Sequence, residues 1–447
     1  MNIVYIHAHD LGRYCEPMGY PIPSKNLMKL ARQGTLFRNT FAAAPSCAPS
    51  RGALVSGQYP HCCGMLGLPA PELGYVLNDF GKHIAAHLRR NGFETALSGV
   101  EHVAASPWAP PRECLPYDHF LNFESDDKEQ FCKVSTASSA VSYLKEKHDK
   151  PFFLSVGFLD PHRHNPGDRR TFVVTYPMNE PVDIDDDAKY CLPFPHMPDN
   201  PVMRREMANF KTGVEVLDFQ VGLVLRALDT PEYRENTLVV FTTDHGPGVA
   251  EMKCTLSDRG TGVVMMIRGP RSGPGSEFNG GKVVDAMTQH LDLYPTFCDI
   301  AGVPKPDWLN GKSLLPLVNG QADEIHDAVF SEQTYHYSPV PRPFRAVRTK
   351  RYKYIRCYDI NAPRGSDTGP SEHYWNQFGY NAMPYQAEAL YDLVFDPAET
   401  NNLADRLGFE EVLTVMRKLL DAWQEQTDDP IRNGEIPVPP AKASSHC

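Results

Sequence analysis

Short apolar segments alternate with amphipathic helical patterns over the first three hundred residues. The apolar segments are rich in β-branched and aromatic residues, and they predict strands at Ile3 to Ala8, Glu94 to Ser98, Phe152 to Phe158, Leu238 to Thr242 and Val263 to Ile267. Apolar positions at helical spacing predict helices at Lys25 to Gln33, Phe80 to Asn91, Thr136 to Lys147, Asn200 to Leu228 and Leu291 to Ala301. This alternation is typical of an α/β protein with a large, mostly parallel central sheet flanked by helices.

From about Phe330 the pattern changes to short alternating strands, Phe344 to Arg348 and Tyr352 to Arg356, before a final helix near Phe409 to Gln426. We therefore predict two units. Residues 1–329 form the α/β domain with the functional site, and residues 330–447 form a smaller subdomain with an antiparallel sheet, a closing helix and an irregular tail. The Pro- and Asp-rich segment from Asn165 to Asn200 is too long for a simple connection and is predicted to face a ligand.

Charge and composition exclude several classes of protein. The 447 residues include 44 Lys+Arg and 55 Asp+Glu, a formal charge of −11 without a block of like charge, which argues against a nucleic-acid surface or a polybasic membrane patch. The longest apolar stretches are too short for a transmembrane helix. Met1 leads directly into the first predicted strand without a secretory leader, so the chain as written is expected in the cytoplasm, or in the periplasm or outside the cell if a leader was removed.

Three pairs of polar residues follow predicted strands: His9-Asp10, Pro161-His162 and Asp244-His245. Taken singly, each pair is as often turn chemistry as a functional group. In an open α/β sheet, however, ligands bind at the carboxyl ends of the strands, where residues distant in sequence converge. The three pairs together predict a site at that edge.

A cysteine stands at the predicted junction of a loop and a helix. Pro49 suits the first helical turn, so Cys47 is expected near the positive end of the helix dipole, with Arg51 one turn further on. This arrangement predicts an anion site built around a thiol. A generic cysteine in such a place would more often be an inert buried residue.

The string Cys47-Ala48-Pro49-Ser50-Arg51 resembles the Cys-x-Pro-Ser-Arg signature of type I sulfatases, metal-dependent hydrolases of the alkaline-phosphatase superfamily. In that family, a formylglycine-generating maturation enzyme oxidises the cysteine to formylglycine. Other segments resemble family landmarks in the same order along nearly the whole chain: Asn2 to Gly12, Pro151 to Leu154, Asp160 to Arg163, Phe241 to Gly246, Leu390 to Leu393, Asp396-Pro397 and Asn402 to Ala404.

The resemblance implies a site for one divalent metal, usually calcium. Its ligands in this sequence are His9, Asp10, Cys47 as formylglycine, Asp244 and His245. Two residues depart from the family pattern, because His9 replaces the first of two paired acids and His245 replaces a residue that is often asparagine. Imidazole ligands favour manganese or zinc more than calcium, so the sequence leaves the metal open.

The resemblance also implies the catalytic set Cys47, Arg51, His102, His162 and Lys253. The hydrated aldehyde at position 47 would attack sulfur, and Arg51, His162 and Lys253 would neutralise the sulfate oxygens. His162 or Lys253 would protonate the leaving group, and His102 would accept a proton as sulfate is released. The family motif Gly-Lys-x-His is Gly99-Val100-Glu101-His102 here, so one lysine is missing.

Among sulfatases, the sequence is most similar to the heparan N-sulfatase (sulfamidase) branch and to bacterial carbohydrate sulfatases. We therefore expect a sulfated saccharide as substrate, with an O-sulfate preferred to an N-sulfate. Candidate substrate-binding residues are Arg163, His164, His336, Arg342 and Arg345.

The alternatives are a sulfamidase, a phosphonate monoester or phosphodiester hydrolase that uses the same aldehyde, and a noncatalytic sulfated-sugar-binding protein, which Val100 and His9 would suit. The sequence does not give the oligomeric state.

Overall fold

The computed structural model describes residues 1–69, 73–104, 114–121, 136–163, 188–365 and 369–440. The larger of two sheets contains β1 (Asn2–Ala8), β2 (Thr35–Phe41), β3 (Glu94–Gly99), β4 (His119–Phe120), β5 (Phe152–Gly157), β6 (Thr237–Thr243), β7 (Gly262–Arg268) and β8 (Lys282–Gln289). The smaller sheet contains β9 (Val329–Gln333), β10 (Phe344–Arg348), β11 (Tyr352–Cys357) and β12 (Glu388–Asp392).

The α-helices within these ranges are α1 (Lys25–Gln33), α2 (Cys47–Ser56), α3 (Pro60–Cys63), α4 (Ile84–Arg90), α5 (Thr136–Leu144), α6 (Pro201–Ala227), α7 (Pro231–Asn236), α8 (Asp258–Thr261), α9 (Leu293–Ala301), α10 (Leu315–Val318), α11 (Pro370–Asn376) and α12 (Glu410–Gln426). Short 3-10 helices span Glu16–Met18, Phe80–Lys82, Ser276–Phe278, His290–Asp292, Tyr380–Ala382 and Pro430–Asn433. In the part of the chain that the structure describes, no helix combines the length and apolar character needed to cross a bilayer. Residues 165–187 of the predicted ligand-facing segment lie outside the described ranges.

The larger sheet has the strand order β4-β3-β5-β1-β6-β7-β2-β8. Its central strand, β1, pairs in parallel with β5 on one side and β6 on the other. β7 runs antiparallel to both of its neighbours, while the remaining pairs are parallel. The predicted α/β class with a mostly parallel sheet is thus confirmed.

The sheet is buried on both faces, which explains why its central strands are continuous apolar runs. Successive side chains of β1 alternate between two cores. Ile3 and Tyr5 pack in one apolar cluster, while Val4 and Ile6 pack in the other. Because helices cover both faces of the sheet, polar side chains can be accommodated at the edge where the strands end.

Helix α6 covers the face of the sheet that carries Val4 and Ile6. It begins with a side-chain cap, because Asn200 Oδ1 accepts a hydrogen bond from the Met203 backbone N–H at 3.0 Å. Asp218 on α6 accepts a hydrogen bond of 2.8 Å from the Leu27 backbone N–H at the start of α1. This contact ties two helices of the same layer together.

The smaller sheet is antiparallel throughout, and it packs against the α/β part of the chain. One apolar cluster joins Ala53 of α2 and Tyr59 to Val347 and Tyr354 of the smaller sheet and Trp423 of α12. The predicted antiparallel sheet with a closing helix is confirmed, whereas the domain boundary between residues 329 and 330 stays a prediction.

A buried ionic network joins this sheet to the chain that follows α2. Arg345 is fully buried, and its guanidinium forms a two-pronged ion pair with Asp429 at 2.6 and 3.0 Å and contacts Glu332 at 3.3 Å. Glu332 in turn lies 2.7 Å from His61 Nδ1. The prediction that Arg345 grips a sugar is therefore wrong, because its donors serve the protein and no part of the residue reaches solvent.

This network predicts a loss of stability at alkaline pH. Burial opposes protonation of His61, but the Glu332 carboxylate outweighs burial and raises the pKa of His61 to about 10. Because an unfolded histidine has a pKa of about 6.5, protonated His61 stabilises the fold fully below that pH and loses its contribution as pH rises through the folded pKa. We expect the free energy of unfolding to fall by up to about 1.4 kcal/mol per pH unit between these limits.

Urea unfolding at several pH values checks this prediction. In the His61→Gln variant, the decline above neutral pH should be much smaller than in the wild type. His87→Gln serves as the control, since burial lowers the pKa of His87 and the ring is already neutral in this range. An equal alkaline decline in wild type and His61→Gln would contradict the assignment.

Candidate active site

The polar pairs predicted at the sheet edge converge in the structure. His9 and Asp10 follow β1, His162 follows β5, and Asp244 and His245 follow β6. Because β5, β1 and β6 are adjacent parallel strands, their carboxyl ends meet at one place. The convergence expected from the sequence is therefore present.

Cys47 enters this site at the first residue of α2. The preceding residue, Ser46, is extended, so the helix begins at the cysteine, where unpaired backbone N–H groups and the helix dipole favour negative charge. The thiol is 1% exposed, and its Sγ lies 3.2 Å from His245 Nε2. Ser50, one turn later, donates a hydrogen bond of 2.6 Å to the Asp244 carbonyl oxygen and fastens the helix to the end of β6.

Asp244 is the most heavily bonded carboxylate of the site. Its Oδ1 accepts hydrogen bonds of 2.9 Å from the backbone N–H groups of Asp10 and His245, and its Oδ2 accepts from Arg51 at 3.0 and 3.2 Å. Burial disfavours the charged form, but His245, Arg51 and His9 outweigh burial and hold the pKa of Asp244 well below its usual range. Asp244 is therefore ionised at neutral pH, as a metal ligand must be.

The donor set fits a divalent cation. One oxygen, nitrogen or sulfur atom from each of Asp10, Cys47, Asp244 and His245 lies within 4.8 Å of the others. The Nδ1–H of His245 donates to the Gly246 carbonyl oxygen at 2.8 Å, so the lone pair of Nε2 is directed towards Asp10 Oδ1, 3.5 Å away. A carbonyl bond that fixes the tautomer of a histidine is the usual support for a metal-ligating imidazole.

His9 contacts one member of this set, Asp244. Its Nδ1 is 3.0 Å from Asp244 Oδ2, and it forms a second group of potential ligands with Asp10, Cys47 and His162. Burial, aided by the positive charge of Arg51, lowers the pKa of His9 well below its usual value. Its buried Nε2 has no hydrogen bond to any residue in the described ranges, which leaves it available to a ligand or metal.

Lys253 and His162 contact each other within the site. The fully buried ammonium of Lys253 lies 3.1 Å from Asp10 Oδ2 and 3.4 Å from His162 Nε2. His162 donates its Nδ1–H to the Arg163 carbonyl oxygen at 2.7 Å, so Nε2 accepts from the lysine. The His162 side chain is 26% exposed, and it therefore connects the buried lysine to the opening of the site.

His102 has the left-handed backbone conformation that side chains rarely adopt, with φ 67°. Its ring centroid lies 5.7 Å from that of His9, whose ring is in turn 5.3 Å from that of His162. Burial, then the positive charges of Arg51 and His162, hold the pKa of His102 well below its usual value. His102 is thus a neutral imidazole that can accept a proton.

The guanidinium of Arg51 forms hydrogen bonds with other residues of the protein. Besides Asp244, its guanidinium donates to the Ala8 carbonyl oxygen at 2.9 Å and to His7 Nδ1. In this arrangement, Arg51 orients Asp244 and balances its charge, and its predicted contact with sulfate oxygens stays a prediction. His7 was not predicted as a site residue, although a histidine inside a buried apolar strand is a signal of such a role.

The predicted sugar-binding residues differ in their contacts. His336 contacts the residue before Cys47, because its Nδ1 is 2.8 Å from Ser46 Oγ. Arg163 forms an ion pair with Glu206 of α6, with both side chains at least 97% buried, so the structure contradicts a sugar-gripping role for it.

The other two candidates stay predictions. Arg342 is 8% exposed and follows β9. His164 lies outside the described residues.

Two family models match this chain. One, described as Sulfatase, matches residues 1–303, and the other, described as N-sulphoglucosamine sulphohydrolase, C-terminal, matches residues 256–363. The first match contains every residue of the site described above except His336 and Arg342.

Similar proteins span nearly the whole chain. N-sulphoglucosamine sulphohydrolase from Homo sapiens is 28% identical, with 92% of this chain and 86% of the human protein covered. A Delta 4,5-hexuronate-2-O-sulfatase from Bacteroides thetaiotaomicron is 27% identical, with 96% and 89% covered. Among solved structures, a 2-O glycosaminoglycan sulfatase has a TM-score of 0.73 at 24% identity, covers 99% of this chain and 96% of its own, and shows the same fold.

Proposed function

This chain belongs to the sulfatase family, and from that premise we propose that it hydrolyses sulfate esters of a saccharide with residue 47 as the nucleophile. The observation that carries the proposal is the position of Cys47. It stands at the start of α2, next to the ligand atoms of Asp10, Asp244 and His245.

We propose that Cys47 acts after conversion to formylglycine. The hydrated aldehyde would supply one hydroxyl oxygen that loses its proton and bonds to sulfur as the sugar oxygen departs. Deprotonation of the second hydroxyl would then break the bond between the residue 47 carbon and the sulfated oxygen, which releases sulfate and restores the aldehyde. The start of a helix favours the negative charge that develops there. The neighbours of the thiol are therefore suited to an anionic group.

One divalent cation is proposed between Asp10, Asp244, His245 and residue 47. When bound, it would supply positive charge for the sulfate oxygens and lower the pKa of the nucleophilic hydroxyl. We propose calcium, because two carboxylates dominate the set, with manganese and zinc as the alternatives that the imidazole of His245 favours. Elemental analysis of protein purified without chelator and dialysed against each metal decides among the three.

The side chains of this chain provide the proton transfers. The Lys253 ammonium can transfer a proton to Nε2 of His162, and the imidazolium formed there, which reaches the opening, can then give that proton to a leaving oxygen. The neutral imidazole of His102 can accept the proton of the second hydroxyl. The proposed acid, His162, thus follows β5, and the proposed base, His102, follows β3.

The substrate class rests on the relatives. By their names, the human and Bacteroides proteins act on a sulfated glucosamine and a sulfated hexuronate. We propose an O-sulfated saccharide as the first substrate. The match of residues 256–363 to the C-terminal model of N-sulphoglucosamine sulphohydrolase favours an N-sulfate as the second candidate.

A substrate panel tests the proposal. Matured protein is incubated with O-sulfated glucosamine, O-sulfated hexuronate, N-sulfated glucosamine and an aryl phosphonate monoester, and released sulfate or phosphonate is measured. Sulfate release from an O-sulfated sugar supports the first candidate, and release from the N-sulfated sugar alone supports the second. Turnover of the phosphonate alone, or binding without any turnover, would overturn both.

A further inference from the structure

A buried carboxylate that takes no part in the proposed chemistry lies next to His102. Glu101 is 3% exposed and accepts a hydrogen bond of 2.8 Å from His83 Nε2 and one of 2.9 Å from the Tyr117 hydroxyl. His83 and Tyr117 are themselves buried. The two hydrogen bonds hold the carboxyl group of Glu101 in place, one residue before the proposed proton acceptor, His102. This arrangement points to a role for Glu101 in holding His102.

The direction of each hydrogen bond around Glu101 is fixed. His83 Nδ1 accepts from the Ala85 backbone N–H at 3.0 Å, so His83 Nε2 carries the hydrogen and donates to Glu101. Burial raises the pKa of Tyr117 well above its usual value, so its hydroxyl keeps its hydrogen and also donates. Both groups therefore donate to the Glu101 carboxyl group.

The backbone segment from Gly99 to His102 has an unusual conformation at both ends. Gly99 has φ 84° and His102 has φ 67°, and both values lie in the left-handed region. The Val100 backbone N–H donates to the Gly157 carbonyl oxygen at 2.9 Å, while Val100 carries no polar side chain. The carboxylate of Glu101 is therefore the side-chain anchor of this segment within the described residues.

We infer that Tyr117 and His83 are positioning residues, which hold Glu101 and thereby keep the following residue, His102, where its imidazole lies beside that of His9. The inference rests on the proposed function of His102 and adds residues that touch neither substrate nor metal. Two buried donors on one carboxyl group restrict its position, because a hydrogen bond left unmade in the interior is costly.

Tyr117→Phe tests this inference. Loss of the hydroxyl removes one of the two side-chain hydrogen bonds that Glu101 accepts, and removal of such a supporting hydrogen bond is expected to lower kcat by about 10- to 100-fold with KM within about twofold of wild type. Tyr143→Phe is the matched control, because Tyr143 is equally buried and donates to Glu94 at 2.7 Å away from the site. It should lose thermal stability comparably while keeping kcat.

A double mutant separates positioning from folding. In the His102→Ala background, Tyr117→Phe should lower kcat by less than about threefold, because the residue through which it acts is absent. Equal kcat for wild type and Tyr117→Phe, or a full additional loss in the His102→Ala background, would overturn the inference.

Crystal structures give a measurement that does not depend on turnover. The wild type should keep His102 in the left-handed conformation, and Tyr117→Phe should show its imidazole displaced. An undisplaced imidazole in the variant would overturn the inference even if the wild type hydrolysed no sulfate. An inactive wild type with a displaced imidazole in the variant would instead count against the proposed function alone.

Discussion

Replacing Cys47 with alanine is expected to abolish sulfate release, by at least about 1,000-fold in kcat, while the fold remains intact. The substitution removes the thiol that maturation requires in order to oxidise the Cβ of residue 47 to an aldehyde. Alanine has good helix propensity and fills most of the same space at the start of α2. The measurement is sulfate release per mole of folded protein, with circular dichroism as the check on folding.

The control for this experiment is Cys298→Ala. Cys298 is also a free, fully buried thiol within a helix, but it packs in the core next to Phe297 and not at the sheet edge. It should keep its activity and lose a small part of its stability. A Cys47→Ala protein that turned over at the wild-type rate would refute the assigned nucleophile.

Asp244→Ala is expected to lose both the bound cation and the activity. The carboxylate is a proposed ligand, and it also neutralises the buried guanidinium of Arg51 through two hydrogen bonds. Its removal leaves an unpaired positive charge where a cation should bind. We expect the metal content to fall from about one equivalent to less than about a tenth, with at least a 1,000-fold loss of kcat.

Metal content is measured by mass spectrometry on the dialysed protein. Asp218→Ala is the control, because Asp218 is also a buried aspartate bonded to backbone N–H groups, but it ties α6 to α1 away from the site. It should lower stability and keep the metal. Stoichiometric metal in Asp244→Ala would count against the proposed ligand set.

The sequence predicted the central strands well, because strands buried on both faces are continuous apolar runs. It missed β8, at one edge of the sheet, and its neighbour β2 for a physical reason. β8 begins with exposed residues, and β2 carries exposed Arg38 and a register shift near Phe37, so neither shows a clear period. The predicted helix from Phe80 to Asn91 is broken at His83, which is extended and caps α4 with its imidazole.

The sequence predicted those residues of the candidate site that belong to motifs at the ends of strands. The partners of each side chain were not predicted, because they come from distant parts of the chain. Arg345 pairs with Asp429, 84 residues away, and Arg163 pairs with Glu206, so two arginines that looked suited to a sugar are structural. The same holds for His7, which supports Arg51 from within β1.

The most direct test of the central claim is the relation between maturation and turnover. The protein is co-expressed with graded amounts of a formylglycine-generating enzyme, the fraction of formylglycine at position 47 is measured by peptide mass spectrometry, and sulfate release from the best saccharide of the panel is measured on each sample. We expect turnover to rise in proportion to that fraction and to extrapolate to zero for unmodified cysteine. Sulfate release that is independent of the state of residue 47 would contradict the proposed mechanism.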